Sequence, residues 1–113
     1  MPARLKVLTA AELASADAAS DTKALVKHYL AVLETRAPGK SVEVRVPPFA
    51  AVQAIPGVRH TRGTPPAVVE TDAETWLAVA TGRTTWAEAV DSGKVAASGE
   101  RTDLTPYLPL DNS

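Results

Sequence analysis

A chain of 113 residues is long enough for one hydrophobic core and too short for two. Apolar residues make up 45 % and charged residues 22 %, a balance too apolar for a disordered chain. The 12 Lys and Arg against 13 Asp and Glu leave a net charge of −1, so no whole-molecule field draws nucleic acid or an anionic membrane, and neither is expected as a partner. The absence of cysteine excludes disulfides, thiolate metal sites and a cysteine nucleophile.

No run approaches the roughly 18 consecutive apolar residues of a membrane span. The charged start Met1-Pro2-Ala3-Arg4-Leu5-Lys6-Val7-Leu8 is too short for a signal-peptide core. A cytoplasmic protein without integral membrane association is expected. Aromatic residues are only 4 %, so Ala, Val and Leu must fill most of the core, and composition leaves open whether it packs fully or encloses a cavity.

Thr9-Ala10-Ala11-Glu12 has capping-box spacing, in which a hydroxyl and a carboxylate satisfy each other's orphan amides, and predicts a short helix within the alanine-rich first 20 residues. Asp21 is placed to cap a longer helix over 22–37. There Leu25, Tyr29 and Leu33 recur every four residues, Val26 and Leu30 widen the stripe, and Pro38-Gly39 ends it. From Ser41 the period becomes two: Val42, Val44 and Val46 alternate with Glu43 and Arg45, which predicts a strand with one dry face.

Pro47-Pro48 interrupts the ladder. A second extended run over 49–55 has Gln53 as its one polar side chain, which predicts a strand covered on both faces or facing a cavity. Pro56-Gly57 turns the chain into the basic loop 58–66, and 67–70 follows as a third strand, completing an expected antiparallel meander. Capping boxes at Thr71 to Glu74 and Thr85 to Glu88 predict two short helices carrying Trp76 and Trp86, stopped by Gly82 and Gly93. Residues 94–99 are read as a closing strand, with Asp103 capping a terminal turn through Tyr107 and Leu108. Strands in the middle, with helices before and after and no regular βα alternation, indicate an α+β fold. One domain over 1–113 is expected, with its core at about 22–110 and an N-terminal helical extension over 1–20.

The chemistry-bearing residues form no motif of known catalysis. Gly39-Lys40-Ser41 lacks the earlier glycine of a phosphate loop, since position 34 is Glu34, and it lies between a helix and a strand in the wrong order. His28 and His60 have no partner at metal-ligand spacing, so no metal is expected. His28 reads as a helix-surface or core-edge residue. No nucleophile elbow is present, and the carboxylates of Glu70, Asp72 and Glu74 sit where a helix begins and read as caps. Arg59, His60 and Arg62 form a basic cluster suited to an anion, or else a solvated loop pairing with Glu70 or Glu100. Trp76 and Trp86 read first as core residues and second as walls of an apolar pocket.

Two stretches, 41–49 with the following 59–72, and 75–90 leading to 92–104, with Gly82-Arg-Thr-Thr-Trp86-Ala-Glu-Ala89 ahead of Ser98-Gly99, resemble the bacterial sterol-carrier-protein-like domain of actinobacteria. The likeness covers about residues 22–110. It implies a mostly antiparallel sheet of about five strands covered by helices, with an apolar pocket between the layers that in relatives holds sterols, fatty acids or acyl-CoA, and no catalytic residues or cofactor. The expected function is therefore non-catalytic binding or carriage of a lipid-like small molecule, with Phe49, Val52, Trp76, Leu77, Trp86 and Val90 as walls and Arg59, His60 and Arg62 near a headgroup. The alternative is a packed interaction or regulatory module without a ligand, accessory to an enzyme.

Overall fold

The computed structural model describes residues 5–57, 67–99 and 102–111. Thr9 opens α1 (Ala10–Ala18) through the expected box: its hydroxyl accepts from the Glu12 amide at 3.1 Å while the Glu12 carboxylate accepts from the Thr9 amide at 2.9 Å. Asp21 accepts from the Ala24 amide at 3.1 Å and starts α2 (Thr22–Arg36). α2 buries an unbroken run from His28 through Leu33, on all sides of the helix, because it lies on the sheet and is flanked by other helices.

The sheet holds β1 (Val42–Val46), β2 (Ala50–Ala54), β3 (Ala67–Thr71) and β4 (Val95–Ser98) in the order β2-β1-β3-β4. It has four strands among the described residues where the resemblance implied about five. β1 and β2 form an antiparallel hairpin about the cis Pro47-Pro48 peptide, and β3 and β4 are antiparallel. β3, however, pairs with β1 in parallel, with Val42 opposite Ala67 and Val44 opposite Val69. This corrects the expected meander. β3 follows β2 in the chain but lies on the other side of β1 from it, an arrangement that a tight meander turn between β2 and β3 does not give. The central position of β1 is where three fully buried valines are best used: Val42, Val44 and Val46 are all 0 % exposed.

Register puts Val52 and Ala54 of β2 and Ala67, Val69 and Thr71 of β3 on the same face as those valines, and that face is buried under the helices. The opposite face carries Ala51, Gln53, Arg45 and Glu70, all exposed. β2 is therefore covered on one face, not both. On the open face Arg45 and Glu43 form an ion pair at 2.6 Å.

α3 (Ala73–Ala80) is capped by Asp72, whose carboxylate accepts from the Thr75 amide at 2.7 Å. The expected cap, Thr71, belongs to β3 instead and donates its hydroxyl to the Lys94 carbonyl at 2.8 Å. α4 (Trp86–Asp91) opens on the predicted Thr85–Glu88 box. Asp103 accepts from the Thr105 amide at 2.9 Å, opening the 3-10 turn Thr105–Tyr107. No described helix is long and apolar enough to cross a membrane.

Candidate ligand cleft

Where α1, α2 and α3 meet, the helical layer opens into a cleft of about 410 Å3. Leu25 and Tyr29 reach it from consecutive turns of α2, the four-residue spacing that stacks side chains on one helical face, and Leu77 faces them from α3. Asp17, Ser20, Thr81 and Arg83 supply polar groups around this apolar surface. Arg83 Nε donates to the Thr81 hydroxyl at 3.1 Å, and that hydroxyl donates to the Leu77 carbonyl at 2.6 Å, so the guanidinium stem is tied to the end of α3. Apolar walls with a few oriented polar groups are the general composition of small-molecule sites.

Next to the cleft residue Tyr29 in the chain is His28, only 5 % exposed. Its Nδ1 accepts a hydrogen bond from the Leu8 amide at 3.0 Å, and its ring meets Tyr29 edge-on at 4.7 Å. Burial pushes the imidazole below its ordinary range, against a smaller upward pull from Asp17, so it is neutral at neutral pH. Burial, followed by the carboxylates of Asp111 and Asp17, pushes the Tyr29 phenol up and keeps it protonated. The sequence places His28 at a helix surface or core edge, with no partner at metal-ligand spacing. A bond to an amide 20 residues earlier in the chain leaves no local signal.

The structure distributes the expected wall residues. Leu77 lines the helical cleft, and Trp86 lines a separate cleft of about 240 Å3 with Val79, Leu108 and Pro109. Val52 is in the core beneath the helices, Phe49 packs partly buried against its margin, and Val90 is 43 % exposed. Trp76 is wholly buried, and its indole Nε1 is a buried donor without a hydrogen-bond partner among the described residues. Arg59, His60 and Arg62 lie outside the described residues. A third cleft of about 540 Å3 joins Leu5 and Val7 to the turn after α2, but Glu34, Lys40 and Gln53 make much of its wall polar. No group of three or more metal-ligating side chains occurs among the described residues.

The sequence model of the family described as bacterial SCP ortholog, SCP standing for sterol carrier protein, matches residues 18–110. No curated protein matches the chain.

Proposed function

The chain belongs to the bacterial SCP ortholog family, and from that premise we propose that it binds and carries an amphipathic, lipid-like small molecule without chemical transformation. The family supports a carrier role. The observation that carries the finer reading is the cleft between α1, α2 and α3, where Leu25, Tyr29 and Leu77 offer an apolar surface and Arg83, Thr81 and Asp17 a polar rim. An acyl chain laid on Leu25 and Leu77 is drawn in by removal of apolar area from water, at roughly 25 cal/mol per Å2. Its polar end stays at the rim, where the Arg83 guanidinium offers donors to an oxygen. Of the residues expected from sequence, Leu77 is thus proposed as a wall of this cleft, and Trp86 as the wall of the smaller one.

A second reading is favoured by the interior itself. Leu30, Leu33, Val42, Val44, Val46, Val69, Trp76 and Val79 are at most 1 % exposed, so the chain's own side chains occupy the space between sheet and helices. A domain filled in this way works as an interaction module through its surface.

Native mass spectrometry of the purified protein, followed by titration with cis-parinaric acid, separates the two. Carriage predicts a co-purified lipid or saturable parinarate fluorescence, and Leu77→Ala weakens parinarate binding about tenfold through lost apolar contact. A clean apo mass with no parinarate uptake decides for the module.

A further inference from the structure

α1 is one wall of the cleft and is lightly attached, since Ala16 is its one buried residue. Its attachments lie at its ends. At the front, Leu5 packs against the core and the Leu8 amide donates to His28 Nδ1. At the back, the Asp21 amide donates to the Ala16 carbonyl at 2.9 Å and the chain turns at Ser20, whose φ of 52° is in the left-handed region that disfavours a side chain. Ser20 itself lines the cleft. A wall held along its length only by buried Ala16 and half-buried Leu13, fastened in front by Leu5 and the Leu8 bond and joined to the body through a strained single-residue turn, has the construction of a lid.

We infer that α1 with the preceding residues 5–8 is a lid over the ligand cleft, latched by the Leu8 to His28 hydrogen bond and released when His28 takes up a proton. The inference rests on the ligand-binding reading of that cleft and names its regulation. Nδ1 can accept the Leu8 amide only while it is unprotonated, because both nitrogens of an imidazolium are donors. Protonation therefore turns the latch into two opposed N–H groups. Burial of the ring already disfavours the proton in the closed state, so an open state, with the ring in water, takes it up first. The closed lid is complete above the ordinary histidine value of 6.5 and is lost as pH falls below it. The charged group acting on the ring is Asp17 on α1, which favours the proton; Lys6 in the strap is paired with Glu12, and Asp111 acts on Tyr29. Asp17 and Tyr29 both line the cleft, so the titration is felt at the ligand's position.

The test is amide hydrogen exchange at Leu8 across about pH 5 to 7.5, the range of histidine titration, together with the rate of cis-parinaric acid release by stopped flow. In the wild type, Leu8 protection, corrected for the intrinsic pH dependence of exchange, falls by up to about tenfold per pH unit on the acid side, as one linked proton requires. Parinarate release speeds up over the same interval. His28→Asn places a non-titrating carbonyl oxygen near the Nδ1 position and leaves Leu8 protection independent of pH. Asp17→Asn removes the carboxylate that favours the proton in the closed state, so the onset of the wild-type transition stays in place while the loss of Leu8 protection continues further into the acid range. A Leu8 amide whose protection ignores pH in the wild type, or responds equally in His28→Asn, overturns the lid whether or not parinarate binds. A responsive Leu8 without parinarate uptake overturns the carrier reading and the gating of a ligand with it.

Discussion

Trp76 is the largest fully buried side chain of the core, yet its N–H meets no acceptor among the described residues. A buried donor left unpaired costs about 1–3 kcal/mol, which opposes part of what the indole contributes by packing. Trp76→Phe removes the donor together with only part of the ring, so the two effects nearly cancel, and the expected loss is within about 1 kcal/mol. Trp76→Ala removes the packing as well and is expected to cost about 3–5 kcal/mol. Urea denaturation followed by circular dichroism measures both; a phenylalanine variant as unstable as the alanine one means that the N–H has a partner in solution. Reading both tryptophans as core residues was possible from sequence because an aromatic one turn into a short amphipathic helix has few other places to go. The orphaned donor was not readable there, since it depends on which backbone carbonyls the packing happens to present.

Local hydrogen-bonding patterns explain which helix boundaries could be read from the chain. The boxes at Thr9–Glu12 and Thr85–Glu88 close within four residues and form as their spacing predicts. At α3 two capping signals stand side by side, and a long-range fact decides between them. Thr71 pairs opposite Val95 in the sheet, so its backbone is committed to β3, its hydroxyl goes to the Lys94 carbonyl, and the cap falls to Asp72. The Asp72 carboxyl is held below its ordinary value by hydrogen bonds from Thr75. Asp72→Ala is therefore expected to lower stability by about 1 kcal/mol at neutral pH. Because the folded value is depressed, the carboxylate's contribution is present above the ordinary value of 3.8 and disappears as pH falls through the lower folded one. Wild type and variant should converge there in thermal melts taken down the acid range; a gap that stays constant with pH assigns the effect to something other than the charged cap. The helix ends carry a related pattern. α1, α3 and α4 all close with the second residue past the helix cap donating back to the last turn, through Asp21, Arg83 and Lys94, and the left-handed position is Gly82 or Gly93 in two cases but Ser20 in the first. The departure from glycine falls where the proposed lid turns.

The assembly of the layers depends on contacts that no local pattern carries, which is why α+β composition was legible while strand order was not. Alternation along β1 announces a strand and its dry face, but it does not say whether the second neighbour is parallel or antiparallel, and β3 pairs with it in parallel. The joint between the layers is equally non-local. The Ile55 amide donates to the Ala37 carbonyl at 2.6 Å at the end of α2, and the Ser41 amide donates to the Ile55 carbonyl at 3.2 Å at the start of β1. One residue thereby ties the helical layer to both strands of the hairpin. Ile55 accepts a φ of 75°, costly for a β-branched side chain, while keeping its side chain 4 % exposed in the core. Gly39 lies against this joint: a β-carbon there would sit on the carbonyl of Ile55 and the nitrogen of Pro56, backbone atoms that cannot yield as a flexible side chain would. Gly39→Ala must therefore push β2 away from the end of α2 or break the Ile55 bonds, and both responses open the same layer boundary. A loss of about 3 kcal/mol or more is expected, a large share of the roughly 5–15 kcal/mol that holds a domain of this size together. Chemical denaturation gives the magnitude, and hydrogen exchange shows where it acts, with the Ile55 and Ser41 amides losing protection ahead of Val44 in the centre of the sheet. If Gly39→Ala melts with the wild type, the turn after α2 can relax without disturbing Ile55, and the two layers are joined elsewhere.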